Sequence, residues 1–249
     1  MSDPSKLGTL FLIPCGLGDT PSLEVLPLSV RKTIDSCSHF VVEHEKTARA
    51  FIKKTSPNKN QQELVLYPLN KFSTFEEVKN YLNPALEGHS IGLISDAGCP
   101  AVADPGALIV QMAHQKGIEV KPLVGPSSIL LALMASGLNG QNFCFHGYLP
   151  IEKGQRKKAL KKLEQQSQLK QQAQIFIETP YRNNALYKEI LQIANPETML
   201  CVACDLTLTT EFTRTKRIRE WKNTAVDFHK RPAIFILDCS ELSSYTFFV

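Results

Sequence analysis

The stretch Ser95-Asp96-Ala97-Gly98-Cys99-Pro100-Ala101-Val102-Ala103-Asp104-Pro105-Gly106 decides the fold. It follows directly on the apolar run Ser90-Ile91-Gly92-Leu93-Ile94 and precedes a helical pattern over 107–115. Two Asp, two Gly and two Pro between 96 and 106 make a rigid, tightly turned loop at the end of a buried strand. In an open parallel sheet such strand ends carry the ligand. Glycine lets the backbone approach a ligand closely, and the free N–H groups of the following helix suit a carboxylate or phosphate.

Outward from this loop the same unit repeats. Thr9-Leu10-Phe11-Leu12-Ile13 runs into Pro14-Cys15-Gly16-Leu17-Gly18-Asp19, followed by an amphipathic stretch over 22–36 with Leu23, Leu26, Val30 and Ile34 at helical spacing. His39-Phe40-Val41-Val42 and Leu64-Val65-Leu66-Tyr67 read as strands, separated by a polar segment, and a helix is expected near 74–86. Ile118-Glu119-Val120-Lys121-Pro122-Leu123 leads to a third loop, Val124-Gly125-Pro126-Ser127-Ser128, which opens a helix ending at Ser136-Gly137. Strand–loop–helix units with nearly continuous apolar strands predict an α/β fold with a buried, mainly parallel sheet. From 136 to 154 the pattern breaks at Gly137, Gly140, Gly147, Pro150 and Gly154. A domain boundary is expected near 140, giving domains 1–140 and 141–249. The second domain reads as α+β, with a strongly basic helix, a strand over 174–178, a helix over 183–193, and strands near 199–204 and 233–238.

Composition excludes several classes. The 249 residues are 43% hydrophobic and 21% charged, which rules out disorder and fibrous repeats. The net charge of +4 says little by itself about nucleic acid. No apolar run is long enough to cross a bilayer, and Met1 to Lys6 lacks the apolar core of a signal peptide. Cysteines 15, 37, 99, 144, 201, 204 and 239 are odd in number and dispersed, which suggests a reduced, cytoplasmic protein with mostly buried thiols. Cys201-Val202-Ala203-Cys204 has metal-like spacing without a second pair, so it reads as core and no metal is expected. Gly16-Leu17-Gly18 lacks the third glycine of a dinucleotide fingerprint, and there is no P-loop.

Asp104 reads as a helix cap with Pro105 at the first helical position. Asp96 has no helix end beside it in sequence to cap and reads as a ligand carboxylate, able to accept from ribose hydroxyls or an amino group. Two clusters suggest a polyanion: Lys153, Arg156, Lys157, Lys158, Lys161, Lys162 and Lys170, and Arg214, Lys216, Arg217, Arg219 and Lys222. A solvated helix face is the alternative, and no RNA-recognition aromatic signature accompanies them.

The loop at 95–106, with Gly125-Pro126-Ser127-Ser128 and Ser136-Gly137-Leu138, resembles the tetrapyrrole methylase superfamily of S-adenosylmethionine-dependent methyltransferases. In particular it resembles the branch that methylates a cytidine ribose 2′-hydroxyl in small-subunit ribosomal RNA. The resemblance extends to residues 143–150, to Glu178-Thr179-Pro180-Tyr181-Arg182 and to Asp205-Leu206-Thr207. It implies two α/β domains, a mixed C-terminal sheet, S-adenosylmethionine in the interdomain cleft, an RNA substrate and a homodimer. Cofactor contacts are then expected at Cys15, Gly16, Asp96, Gly98, Cys99, Ser127, Ser128, Ala203 and Ala233. That branch has Pro-Thr-Pro-Ile-Gly-Asn where this chain has residues 14–19, and Glu-Asp-Thr-Arg where this chain has Glu43-His44-Glu45-Lys46. Its later His is Tyr181 here and its Lys after Leu-Thr is Leu208. The cofactor loops are thus better kept than the substrate-facing ones. Methylation of a hydroxyl needs a base, with Glu43, Glu45 and Glu178 as candidates, Glu178 foremost. Arg182 either clamps a phosphate or pairs with Glu178. A porphyrinoid methylase of the same fold and a non-catalytic RNA-binding protein are the alternatives.

Overall fold

The structure is a computed structural model and describes residues 7–240, so the reading of Met1 to Lys6 lies outside the described residues. The chain divides into two units, before and after the Ser127–Ser128 peptide.

The first unit carries β1 (Thr9–Ile13), α1 (Ser22–Val25), α2 (Leu28–Ser36), β2 (His39–Val42) and α3 (Glu45–Thr55). It continues with β3 (Val65–Pro68), the single-turn helices α4 (Phe75–Val78) and α5 (Asn83–Leu86), β4 (Ile91–Ile94), α6 (Gly106–Gln115) and β5 (Glu119–Pro122). Its sheet has the order β3-β2-β4-β1-β5, and every pairing in it is parallel. The sheet is apolar on both faces, as parallel sheets covered by helices are. On one face Leu10, Val41 and Leu93 pack with Ile109 and Met112 of α6. On the other Ile13, Phe40, Val42 and Ile94 pack with Val30 and Ile34 of α2 and Ile52 of α3.

Two expected helices are each interrupted. Pro27 lies between α1 and α2, because a ring in place of the N–H cannot continue the first helix but suits the start of the second. Pro84 sits in the first turn of α5 for the same reason. The polar segment after β2 is a helix, α3, which buries Ala48, Ile52 and Thr55 and packs Phe51 partly against the same core.

The second unit opens with α7 (Ser128–Ser136), followed by β6 (Phe143–Tyr148), α8 (Lys153–Lys170), β7 (Ala173–Ile177), α9 (Asn183–Ile193) and β8 (Met199–Cys204). It ends with β9 (Phe212–Arg217), α10 (Ile218–Trp221) and β10 (Ala233–Asp238). The division falls before α7 instead of near 140 because α7 packs on β8, β9 and β10. The sheet order is β6-β7-β10-β8-β9; β6 and β7 run parallel and the remaining pairs antiparallel. Its core gathers Phe176, Phe235, Leu160, Leu163, Tyr187, Ile190 and Trp221. Trp221 is fully buried and donates from Nε1 to the Leu200 carbonyl at 2.8 Å, so it is a packing residue. β6 and β9 do not stand out in the sequence: β6 carries a bulge next to Gly147, and β9 alternates Thr with Arg and Lys.

Candidate active site

β1 and β4 are neighbours, yet the chain leaves β1 toward β2 on one side and leaves β4 toward β5 on the other. Such a topological switch point opens a crevice outside the carboxyl ends of the strands. Loops 14–19 and 95–106 emerge there and are tied together, the Cys15 amide donating to the Gly98 carbonyl at 2.9 Å. Gly98 has φ +69°, a conformation that favours glycine. The third loop closes against the first: a Cβ on Gly125 would lie 2.3 Å from Cβ and Cγ of Pro14. The Cys99 thiol donates to the Pro126 carbonyl at 3.5 Å. Cys15, Gly16, Asp96, Gly98, Cys99 and Ser127 therefore belong to three loops on one sheet edge.

A cavity of about 400 Å³ opens beside them, lined by Cys15, Gly16, Ser95, Asp96 and Ala97 and, from α3, by Thr47, Phe51 and Lys54. Its size falls within the usual range for small-molecule sites. At its rim Lys54 pairs with Asp19 at 2.6 Å, and the lysine holds the Asp19 carboxyl below its ordinary range.

Carboxylates dominate the edge. Asp104 accepts from the amides of Ala101 and Gly106 at 2.9 and 2.7 Å, which fixes the loop and the start of α6; the helix begins at Gly106 with Pro105 at its N-cap, so Asp104 holds the helix start from one position earlier than its capping reading placed it. Ala101 and Ala103 take φ values of +67° and +61°, backbone strain that this clamp offsets. Burial pushes the Asp104 carboxyl above its ordinary value despite those two amides. Glu43 accepts from the Asp96 amide at 2.9 Å; burial raises its carboxyl, and the nearby charges of Asp96 and Asp104 raise it further. Asp96 receives Thr47 Oγ1 at 2.7 Å on one oxygen and lies 2.6 Å from His44 Nδ1 on the other. It thus sits over the start of α3, a partner distant in sequence and for that reason missed. A carboxylate has about four acceptor positions, so two remain for a ligand. Burial, with Asp96 and Glu43 nearby, keeps the Cys15 thiol protonated.

In the second unit, Glu178, Ala203 and Ala233 come to one edge of the sheet, where β7 and β8 end and β10 begins. Ala203 and Ala233 are buried strand residues, and Ser128 is the first residue of α7. Glu178 is buried, accepts from Arg182 Nη2 at 2.6 Å and from the Thr179 amide at 2.6 Å. Beside them Asp205 accepts from Arg231 Nε at 2.7 Å and from Thr210 at 2.9 Å, a knot with no sequence signal except the spacing of Asp205-Leu206-Thr207. Cys201 and Cys204 point to opposite faces of β8, and burial pushes their thiols up to about 11 and about 12.

Among the described residues no cluster of three or more His, Cys, Asp or Glu is placed to hold a metal, and no helix is long and apolar enough to cross a membrane. All seven cysteines are free, four of them buried.

A doubly covered parallel sheet with an acidic, glycine-bearing switch point, followed by a mixed second sheet, defines an α/β ligand-binding class of protein. The chain belongs to the family of tetrapyrrole (corrin/porphyrin) methylases, whose family model matches residues 9–221. It is accordingly a methyltransferase, and the methyl donor that membership implies is S-adenosylmethionine. Ribosomal RNA small subunit methyltransferase I of Vibrio cholerae is 28% identical over 84% of this chain and 68% of its own length. The protein of the same name from Buchnera aphidicola of Acyrthosiphon pisum is 26% identical over 96% and 82%. Among solved structures, diphthine synthase superposes with a TM-score of 0.65 at 13% identity, over 92% of this chain and 89% of that one. Uroporphyrin-III C-methyl transferase from Thermus thermophilus, complexed with S-adenyl homocysteine, gives 0.55 at 18%, over 93% and 98%. At such identities these two share the fold.

The edge suits the methyl donor. S-adenosylmethionine carries a sulfonium and an ammonium, and the Asp96 carboxylate, which lines the 400 Å³ cavity, offers acceptor positions to such cationic groups, while Glu43 and Asp104 are engaged by amides of the same loop.

Proposed function

We propose that the protein transfers a methyl group from S-adenosylmethionine to a ribose 2′-hydroxyl of small-subunit ribosomal RNA. The observation that carries this is the match, over most of the chain, to relatives named ribosomal RNA small subunit methyltransferase I. Six exposed lysines of α8, Lys153, Lys157, Lys158, Lys161, Lys162 and Lys170, have no ion pair among the described residues and suit a phosphate backbone. Arg156 is not among them: it is bound to Glu189 at 2.6 Å inside the fold. Arg217 and Arg219 are likewise occupied, both by Glu197.

The bound donor supplies an electrophilic methyl group for in-line displacement; the protein's part is to position and to exclude water. Cys15, Gly16, Asp96, Gly98, Cys99 and Ser127 are the proposed donor contacts of the first unit, and Ser128, Ala203 and Ala233 those of the second. Arg182 pairs with Glu178 at 2.6 Å, the second of its two readings, and the exposed remainder of its guanidinium, 37% accessible, is the proposed phosphate contact. The active species is a homodimer in this reading.

Radiolabelled transfer from S-adenosylmethionine to small ribosomal subunits lacking the modification tests it, with nuclease mapping of the label. Label on a ribose supports the reading. Label only on a porphyrinoid moves the assignment to a small-molecule methylase, and salt-dependent RNA binding without transfer to a non-catalytic RNA-binding protein.

A further inference from the structure

His44 follows β2 and touches the acidic edge through Asp96. Its Nδ1 lies 2.6 Å from Asp96 Oδ2. An ionised carboxylate only accepts, so the proton of the neutral ring sits on Nδ1 and the lone pair on Nε2. The carboxylate that imposes this is itself fixed. Thr47 donates to its other oxygen at 2.7 Å, and the backbone amide of Asp96 donates to Glu43. The same Thr47 hydroxyl lies 3.0 Å from the His44 carbonyl, so its single proton is shared between that carbonyl and Asp96 at the turn into α3. The His44 side chain is 63% exposed, against 39% for Asp96, so the ring reaches out from its anchor toward solvent. Asp96 and Thr47 also line the 400 Å³ cavity. An exposed imidazole oriented through Nδ1 by a tethered carboxylate has the layout of a general base.

We propose that His44, oriented by Asp96, is the base that deprotonates the acceptor hydroxyl, an inference that rests on the ribose-methylation reading. The hydroxyl O–H bond breaks and its proton passes to Nε2. The oxygen forms the new O–CH₃ bond as the S–CH₃ bond breaks, and that electron pair stays on sulfur, giving the thioether. The sulfonium charge is lost as the imidazolium charge appears, so charge balances. The titratable groups that interact with the ring are Asp96 from the loop after β4 and Glu43 at the end of β2, and Glu45 and Lys46 follow it in sequence at the start of α3. Asp96 is a positioning residue for this step.

The test has three readouts. Nitrogen-detected NMR of the free protein shows His44 as the Nδ1–H tautomer, and Asp96→Asn removes that preference. His44→Ala and His44→Gln bind S-adenosylhomocysteine as wild type does by calorimetry. Both lose transfer to small ribosomal subunits by about 100-fold or more. The acid limb of the pH–rate profile disappears in them, and added imidazole restores part of the rate to His44→Ala. Wild-type transfer and pH dependence in His44→Ala, or an Nε2–H tautomer in the wild type, overturns the proposal alone. A wild-type protein that binds the cofactor product but transfers no methyl to ribose overturns the ribose-methylation reading, and this inference with it.

Discussion

Arg182 reaches back one turn to Glu178, and the two side chains meet at 2.6 Å with the carboxylate only 1% exposed. The Thr179 amide donates to the same oxygen, so Glu178 is satisfied by one strong charge partner and one backbone group. Removing one member of a buried pair leaves the other charge uncompensated. Arg182→Ala is therefore expected to lower unfolding free energy by about 2–3 kcal/mol, less than a fully buried pair costs because Arg182 is 37% exposed. Glu178→Gln keeps an acceptor for Thr179 and is expected to cost less. Urea denaturation of both variants checks the order, and equal costs would contradict it.

Gly125 and Pro14 set the spacing of the first and third loops. A methyl group at Gly125 would sit 2.3 Å from the proline ring, and a ring cannot swing aside as a flexible side chain does. Overpacking of this kind typically costs about 1–3 kcal/mol. Gly125→Ala is expected to lose that much by denaturant unfolding and to weaken S-adenosylhomocysteine binding, because both loops carry proposed donor contacts. Unchanged stability and affinity would show that the loops relax freely.

How much of this was legible in the sequence depends on the range of the interaction. The strand–loop–helix rhythm of the first unit is local, so the strands at Thr9–Ile13, His39–Val42 and Ile91–Ile94 and the three loops are readable in order. The helix breaks at Pro27 and Pro84 are local too and were available. Asp96 is different. Its apparent lack of a cap in sequence pointed to a ligand, but His44 and Thr47, some fifty positions earlier, occupy it in space. The basic clusters are legible only in part for the same reason: charge counts do not reveal that Glu189 and Glu197 pair with Arg156, Arg217 and Arg219 while the α8 lysines stay exposed. The boundary near 140 follows the glycines, whereas α7 lies against β8, β9 and β10 and so belongs to the second unit.

Glu43 gives a pH-dependent test. Its folded carboxyl titrates above the ordinary value of 4.5, chiefly through burial. The unfolded chain therefore releases this proton first as pH rises. The stability it contributes is fully present below about pH 4.5 and is lost as pH climbs through the folded value. Glu43→Gln keeps an oxygen to accept the Asp96 amide and removes the charge. The variant is expected to melt higher than wild type at neutral pH, with the difference shrinking toward pH 4.5 and below. Melting curves across that range decide it, and a difference independent of pH would assign the effect to packing.

The basic surface yields a graded prediction. Lys157, Lys158, Lys161 and Lys162 are exposed on α8 and have no ion pair among the described residues, whereas Arg217 and Arg219 share Glu197. Each phosphate neutralised contributes roughly 0.7–0.9 to the slope of log affinity against log salt. A free lysine engages a phosphate without first giving up a partner, while an arginine held by Glu197 must exchange one for the other. Replacing the four lysines with alanine is expected to flatten the salt dependence of ribosomal RNA binding by as much as about 3. Replacing Arg217 and Arg219 should change it by well under 1 per residue, and their loss should appear instead as Glu197 left unpaired at the surface. Filter binding at several salt concentrations separates the two surfaces. Equal slopes for the lysine variant and wild type would remove α8 from the RNA contact, and the site would then have to recognise its substrate through the sheet edge alone.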